Sequence, residues 1–185
     1  SNPHGPEMRE LTVGIVGMGR IGSAVARRCA AFGARVLYND IRPVGPFDFP
    51  AEEVDKPTLW NATHAISLHV PLTPQTRGLI NRETLSLFRQ GALLINTARG
   101  AAVDTAALLD ALASGRLGGA ALDVVEPEPL PPDHPLFETR HVIPTPHIAA
   151  RTHGGLRRMF GIADDVLRWL GEHDQASSSL QRSGG

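Results

Sequence analysis

The stretch VGIVGMGRIG, residues 13–22, combines a short apolar run with three glycines in the spacing G-x-G-x-x-G. The glycines are Gly17, Gly19 and Gly22, and they lie between a predicted strand and a predicted helix. At such a junction the first glycine permits a tight turn, the second lets a phosphate approach the backbone, and the third lets helix and strand pack closely. The helix N-terminus then offers unpaired N–H groups and a positive dipole to an anion. The stretch therefore predicts a strand–turn–helix unit that binds a dinucleotide.

Short apolar runs alternate with helical patterns along the rest of the chain, which is typical of a parallel sheet with helices on both faces. Most of the runs are continuously apolar, as expected of strands that are covered on both faces. The predicted strands are residues 11–16, 35–39, 65–70, 92–97, 119–124 and 141–145. Proline-rich stretches at 42–50 and 126–135 cannot continue a helix or a central strand, so they are expected to be loops.

Two helices carry clear start or stop signals. The first, over residues 20–33, has apolar residues at helical spacing and ends at Gly33; these residues are Ile21, Val25, Cys29 and Phe32. Cys29 is therefore interpreted as a core residue. The second helix begins after the cap residue Asp104 and ends at Gly115.

These elements predict an α/β fold: a doubly wound parallel sheet of the Rossmann type, in three α/β/α layers. The expected domain spans residues 8–171, and residues 1–7 and the Ser/Gly-rich 172–185 are expected to be flexible termini.

Composition and charge exclude several classes of partner. The chain of 185 residues has 18 Lys and Arg against 19 Asp and Glu, so no direct contact with nucleic acid is expected. No apolar run reaches the roughly 20 residues of a membrane span, and no targeting segment is recognised. The single Cys29 excludes an internal disulfide within this sequence and suits a reducing compartment. These features predict a cytoplasmic protein.

Asp40 follows the second predicted strand, eighteen residues after Gly22. An acid at this place meets the adenosine ribose hydroxyls of a dinucleotide. A carboxylate repels a 2′-phosphate, so NAD is expected in preference to NADP, although Arg42 weakens that preference. The alternative interpretation is that the glycines only make a turn and that Asp40 is a solvated surface residue.

Four polar residues follow neighbouring strands of the predicted sheet, at the edge where ligands bind in such folds. They are Arg99, Asp123, Glu128 and His147. An arginine fork holds a carboxylate through two charge-assisted hydrogen bonds, and a histidine beside a carboxylate can carry a proton near neutral pH. The set predicts reduction of a 2-keto acid by a nicotinamide cofactor. Arg99 in a structural ion pair and His147 as a core histidine remain the alternatives.

Five motifs in order resemble the nucleotide-binding domain of the D-isomer-specific 2-hydroxyacid dehydrogenases. The motifs are GMGRIG (17–22), HVPLTPQTRGLIN (69–81), LLINTARG (93–100), GGAALDVVEPEP (118–129) and TPHIA (145–149). The resemblance implies that Arg99 binds the substrate carboxylate, that His147 is the general acid/base and that Glu128 orients it. Glu126 is the alternative acid, but the glutamate directly before the second proline matches the family pattern. The family includes enzymes that dimerise through this domain, so a homodimer is expected.

The resemblance also implies the contacts with NAD. Asp123 is expected at the nicotinamide carboxamide, and Val70 and Pro71 near the adenosine. The full set of implied cofactor-binding residues is Gly17, Gly19, Arg20, Ile21, Gly22, Asp40, His69, Val70, Pro71, Thr76, Thr97, Ala98, Arg99, Asp123, His147 and Ala149. No metal site is expected, because His64, His69, His134, His141 and His153 lack metal-ligand spacing.

The sequence departs from the family in two ways. Ala149, Ala150 and Arg151 stand where the family often has a serine, so one hydrogen bond to the nicotinamide is expected to be absent. The second domain, which in the family closes over the substrate, is missing from this sequence, so little turnover is expected. An alternative function is dinucleotide sensing, since the C-terminal binding protein corepressors resemble the same family and retain the same Arg, Glu and His residues.

Overall fold

The computed structural model describes residues 5–155. Seven parallel strands form one sheet in the order β3-β2-β1-β4-β5-β6-β7. The strands are β1 Thr12–Val16, β2 Arg35–Asn39, β3 Glu52–Glu53, β4 Ala65–Leu68, β5 Ala92–Asn96, β6 Leu117–Leu122 and β7 Val142–Pro144. The order reverses at β1, which is the arrangement predicted for a doubly wound sheet.

Helices cover the two faces of the sheet unequally. Within residues 5–147 the helices are α1 Arg20–Ala31, α2 Lys56–Ala62, α3 Arg82–Leu87 and α4 Thr105–Ala113, and three short 3₁₀ turns lie at Met8–Glu10, Gly100–Ala102 and Pro135–Phe137. Side chains of α1 pack on one face of β1 and β2, whereas α2, α3 and α4 contribute to the larger core on the opposite face. The predicted three-layer α/β/α fold is therefore confirmed.

Caps define where the predicted helices start and stop. Asp104 accepts a hydrogen bond from the backbone N–H of Ala107, as expected of an N-cap. Gly33 and Gly115 have φ values of +85° and +70°, the left-handed backbone that ends a helix. Both helix ends were predicted correctly. The helices α2 and α3 and the short strand β3 were not predicted.

The face of α1 that packs on the sheet differs from the predicted apolar stripe. Val25 and Cys29 pack against the core, in agreement with the prediction. Ile21 and Phe32, however, are 67% and 71% exposed. They lie at the two ends of the helix, beyond the part that packs on β1 and β2. The buried residues of α1 are the small Gly22 and Ala26, which bring the helix backbone close to the sheet.

Strand ends account for most differences from the predicted boundaries. The strands predicted to reach residues 70, 97 and 124 end at 68, 96 and 122, because the chain there leaves the sheet to form loops. Strand β6 begins at Leu117, two residues earlier than predicted. A Cβ on Gly118 would lie 2.4 Å from the carbonyl oxygen of Gly91, so only glycine fits this register. Glycine weakens the sequence signal of a strand, which explains the difference.

The chain divides into two units, Ser1–His147 and Ile148–Gly185. The sheet and its helices belong to the first unit. In the second unit the structure describes residues 148–155, which include Ala149. The predicted domain end at 171 and the predicted tail 172–185 lie outside the described residues. No helix within residues 5–155 is both long and apolar enough to cross a bilayer.

Candidate active site and cofactor cavity

The glycine turn has the close contacts that its spacing predicts. Gly17 follows β1 with φ +91°, and a Cβ there would lie 2.7 Å from the carbonyl oxygen of His69. A Cβ on Gly22 would lie 2.0 Å from the carbonyl oxygen of Gly17. Gly19 is different, because a Cβ there would meet no atom within 4 Å. Gly17 and Gly22 thus pack tightly against neighbouring backbone, whereas Gly19 faces open space.

The N-terminus of α1 faces this open space without a side-chain cap. Gly19 is the N-cap residue, and no side chain accepts a hydrogen bond from the first turn. The first N–H groups of a helix have no partner within the helix. An open approach and unpaired donors are the two features that a pyrophosphate requires, so these residues fit a dinucleotide.

Asp40 is tied to the glycine turn by its carboxylate. Its Oδ2 accepts a hydrogen bond from the backbone N–H of Met18 at 2.6 Å, and its Oδ1 accepts one from the N–H of Arg42 at 3.0 Å. A cavity of about 450 Å³ has Gly17, Gly19 and Asp40 on its wall. Residues of β2 and the following loop therefore meet the glycine turn around one cavity.

The loop after β4 forms another wall of this cavity, through His69, Val70, Pro71 and Thr76. The hydroxyl of Thr76 donates to the carbonyl of Pro71 at 2.6 Å and accepts from the N–H of Thr73 at 2.8 Å, which closes the loop. His69 Nε2 lies 2.9 Å from the hydroxyl of Ser67, and burial lowers the pKa of the His69 imidazole. A neutral histidine is expected here at neutral pH.

A second cavity, of about 580 Å³, lies beside β6 and β7. Asp123, Glu128 and His147 are on its wall, together with the apolar side chains of Leu130 and Phe137. Nδ1 of His147 lies 2.7 Å from Oε1 of Glu128, and both side chains are partly exposed. The structure thus brings together the predicted histidine and the predicted glutamate.

The backbone of His147 is held in an unusual conformation. Its φ is +52°, in the left-handed region that non-glycine residues seldom adopt. The N–H of His147 donates to the carbonyls of Asp123 and Thr145, at 2.9 and 3.0 Å. The hydroxyl of Thr145 also donates to Oδ1 of Asp123 at 2.6 Å. This network fixes the histidine at the end of β6, at a backbone conformation that costs about 1–3 kcal/mol.

Glu126, the alternative acid, has a different partner. Its carboxylate lies 3.5 Å from Nη1 of Arg77, and both side chains are more than half exposed. Of the two glutamates, Glu128 is therefore the one that contacts His147 in this structure.

Arg99 lies in the turn after β5 and is exposed. Its Nη1 donates to the carbonyl of Ala98 at 2.6 Å, and the side chain lines neither of the two cavities. Thr97 is exposed and Ala98 is buried in the same turn. Arg99 is placed at the strand end next to Asp123, but the structure does not bring its guanidinium into contact with His147.

The other predicted residues separate into groups. Arg20 and Ile21 are exposed in the first turn of α1 and line neither cavity. Ala149 belongs to the second unit and stays a prediction.

His64 and His134 are structural, because the Nδ1 of each accepts a backbone N–H, from Thr12 at 3.0 Å and from Leu136 at 3.2 Å. Within residues 5–155 no group of three His, Cys, Asp or Glu side chains could hold a metal ion.

The family described as "D-isomer specific 2-hydroxyacid dehydrogenase, NAD binding domain" matches residues 1–149. The chain belongs to this family.

Several relatives resemble the chain over most of its length. A glyoxylate reductase from Thermofilum pendens is 46% identical over 88% of this chain and 50% of its own length. The crystal structure of D-lactate dehydrogenase with NAD⁺ from Lactobacillus jensenii superposes with a TM-score of 0.83 at 34% identity, over 88% of this chain and 54% of that one. A D-isomer specific 2-hydroxyacid dehydrogenase from Xanthobacter autotrophicus Py2, in complex with NADPH and MES, gives a TM-score of 0.75 at 38% identity, over 80% and 62% of the two chains.

The chain spans about half the length of the curated relatives it matches. These relatives are reductases, and the comparisons give no support to the corepressor alternative over the dehydrogenase. The match to the NAD-binding domain confirms the predicted family and the predicted class of cofactor.

The sequence interpretation missed two residues that shape the site. Asn96 is fully buried and bonds the Arg99 turn, and Thr145 bonds Asp123. In the sequence Asn96 is only the penultimate residue of the predicted strand 92–97, although a polar residue near the end of an apolar run is a signal. Thr145 lies two residues before His147, and nothing in the pattern distinguishes it from a surface threonine.

Proposed function

We propose that the chain is the coenzyme-binding half of an NAD-dependent oxidoreductase that interconverts a 2-keto acid and a D-2-hydroxy acid. The observation that carries this proposal is the 2.7 Å contact between Glu128 Oε1 and His147 Nδ1, beside Asp123 at the carboxyl ends of β6 and β7. Histidine paired with a carboxylate is a common general acid/base, and family membership supports the redox class.

His147 is the proposed proton carrier. Because Nδ1 faces Glu128, the Nε2 nitrogen is the one left to meet the substrate oxygen. In the reducing direction His147 donates its proton to that oxygen, and in the oxidising direction it removes the hydroxyl proton. Glu128 holds Nδ1 and so fixes the orientation of the ring.

Arg99 is the proposed anchor of the substrate carboxylate. A guanidinium offers five N–H donors in a fixed fork, and only one of those of Arg99 has a hydrogen-bond partner within residues 5–155. Asp123, buried between β6 and the Thr145 hydroxyl, is the proposed acceptor for the carboxamide of the nicotinamide. When bound, the reduced cofactor supplies the hydride for the keto carbon.

The cofactor is proposed to bind across the glycine turn with its adenosine in the 450 Å³ cavity. Gly17, Gly19 and Gly22 shape the pyrophosphate site, and Asp40 is the proposed partner of the ribose hydroxyls. The other proposed contacts are Arg20, Ile21, His69, Val70, Pro71, Thr76, Thr97, Ala98 and Ala149. The NADPH complex of the Xanthobacter relative means that family membership alone does not decide between the two cofactors, so the preference for NAD depends on Asp40.

The substrate cleft is proposed to need a second domain that is not in this chain. Half-length coverage of the relatives supports this proposal. Hydride transfer benefits from a closed cleft that excludes water and holds the substrate in place. We therefore expect the chain to bind NADH but to reduce glyoxylate, hydroxypyruvate and pyruvate slowly or not at all.

Fluorescence titration with NADH and NADH oxidation, measured on one sample, test this proposal. Absence of NADH binding would contradict the coenzyme role. Turnover equal to that of an intact family member would contradict the need for a second domain.

We also propose a cytoplasmic homodimer. The single cysteine of this sequence supports a reducing compartment, and resemblance to enzymes that dimerise through this domain supports the assembly. Light scattering during gel filtration measures the mass of the particle directly, and a monomer would contradict the second part.

A further inference from the structure

Asn96 is a fully buried polar residue at the end of β5. Both ends of its side-chain amide bond the turn that carries Arg99. Oδ1 accepts a hydrogen bond from the N–H of Ala98 at 3.0 Å, and Nδ2 donates to the carbonyl of Arg99 at 3.0 Å. One side chain thus spans the turn from its second residue to its third.

The backbone of Asn96 also contacts the neighbouring strand end. Its carbonyl accepts a hydrogen bond from the N–H of Asp123 at 3.0 Å. A single residue therefore bonds both the Arg99 turn and the residue proposed to meet the nicotinamide. A change at Asn96 can alter the distance between these two groups.

The far side of the Arg99 turn is packed against the loop that leads to Glu128. A Cβ on Gly100 would lie 2.0 Å from the carbonyl oxygen of Val125, so the two backbones are in close contact. The turn is held between this contact on one side and the Asn96 amide on the other. It has little freedom to move independently of β6.

We propose that Asn96 is a positioning residue, which holds Arg99 at the distance from Asp123 and Glu128 that a small 2-keto acid requires. The inference rests on the proposed function, because it gives Arg99 the task of binding the carboxylate. Asn96 itself is not expected to touch the substrate. A merely structural amide would affect stability and NADH binding as much as carboxylate binding, so the three must be measured together.

The chain offers a matched control in Asn81. Its Oδ1 accepts from the N–H of Thr84 at 3.0 Å, and its Nδ2 donates to the carbonyl of Gly78 at 3.1 Å. Like Asn96, Asn81 makes one accepting and one donating amide bond to the backbone, but it bonds residues on both sides of itself, at the start of α3. Asn81→Ser and Asn96→Ser each remove the amide donor, at two places of which only one adjoins Arg99.

The experiment compares the wild-type chain with Asn96→Ser, Asn96→Asp and Asn81→Ser. Oxamate, an unreactive analogue of a 2-keto acid, is titrated into the NADH-loaded chain and its binding is followed by NMR. NADH affinity, unfolding temperature and amide hydrogen exchange are measured on the same samples. Asn96→Asp keeps the acceptor for Ala98, loses the donor to Arg99 and adds a carboxyl group.

We expect Asn96→Ser to weaken oxamate binding and to accelerate exchange at the Ala98 amide, each by about tenfold, the effect of one lost buried hydrogen bond. Asn96→Asp should weaken oxamate similarly and leave the Ala98 amide protected. NADH affinity should fall less, by no more than about threefold, because most of the proposed contacts with NADH lie at the glycine turn and in the 450 Å³ cavity. Asn81→Ser should leave oxamate binding unchanged. If Asn96→Asp does not fold, oxamate affinity is compared between Asn96→Ser and Asn81→Ser alone.

Unchanged oxamate affinity in Asn96→Ser, or an equal loss of NADH affinity, overturns the positioning role. Failure of the wild-type chain to bind oxamate, with NADH binding intact, contradicts carboxylate binding by Arg99 in this chain, whereas failure to bind NADH contradicts the proposed function. Asn96 is then judged on hydrogen exchange: faster exchange at Ala98 in Asn96→Ser supports its hold on the turn, and unchanged exchange overturns it.

Discussion

We expect the choice between NAD and NADP to depend on the charge of Asp40. A 2′-phosphate bound where the ribose hydroxyls are proposed would lie about 4 Å from this carboxylate, and two unit charges at that distance repel by about 4 kcal/mol at an effective dielectric of 20. Because 1.4 kcal/mol is a factor of ten, the upper limit of the preference for NADH is about 10³. Partial exposure of Asp40 and the nearby Arg42 reduce it, so we expect a ratio of about 10².

Asp40→Ala and Asp40→Asn distinguish the effect of the Asp40 charge on cofactor affinity from the effect of its hydrogen bonds. The carboxylate accepts from the N–H groups of Met18 and Arg42, and both bonds are lost in Asp40→Ala. Asp40→Asn removes the charge and can keep one bond. If charge decides, both variants should bring the NADH and NADPH affinities to within about tenfold of each other. If the bonds decide, Asp40→Ala should lose affinity for both cofactors.

Fluorescence titration with each cofactor, at two salt concentrations, measures these ratios. The matched control is Asp110→Asn, which removes one negative charge that is paired with Arg82 and lies outside the cavity. It should leave the wild-type ratio unchanged. Equal affinity of the wild-type chain for NADH and NADPH would refute the reasoning, and so would an unchanged ratio in Asp40→Asn.

Other predictions concern the glycine turn and the proton carrier. Gly22→Ala should lower the unfolding temperature, because its Cβ would lie 2.0 Å from the Gly17 carbonyl oxygen. Gly19→Ala should leave stability unchanged and weaken NADH binding. A loss of stability in Gly19→Ala and a loss of NADH binding alone in Gly22→Ala would contradict these roles of the two glycines. In a protein that joins this chain to its substrate domain, His147→Ala should lower turnover by about 10² to 10⁴ with NADH affinity nearly unchanged, and a smaller loss would argue against a general acid. Glu128→Gln in the same protein should lower turnover with NADH affinity nearly unchanged, because the His147 ring loses the carboxylate that orients it, and unchanged turnover would leave that role to another group.

Turns and helix caps, which depend on residues close together in the sequence, made much of the fold predictable. The glycine turn combines a tight left-handed turn at Gly17 with close packing at Gly22, and few other arrangements need both. The caps at Asp104 and Gly115 depend only on neighbouring residues, and they were predicted correctly. Helix α2 was missed although Asp55 caps it through the N–H of Thr58, because seven residues give too short an apolar pattern.

The contacts within the site were less predictable, since they depend on packing between distant segments. Glu126 and Glu128 both precede a proline; the family resemblance favoured Glu128, and the structure shows that Glu128 contacts His147 and Glu126 contacts Arg77. A polar residue near the end of an apolar run was the one sequence signal for Asn96, and it does not predict which groups Asn96 bonds. Its two bonds follow from the path of the turn after β5, which no periodicity describes.

Strand order explains why residues far apart in the sequence can act on one small molecule. Arg99, Asp123 and His147 follow β5, β6 and β7, which are consecutive neighbours in the sheet. Strands in a sheet are about 4.8 Å apart, so the first and third strand ends are separated by roughly 10 Å. Two long side chains can close that gap around a carboxylate and a keto group, provided that the turn after β5 keeps its place. For this reason the buried amide of Asn96 matters to the proposed chemistry as much as the exposed groups do.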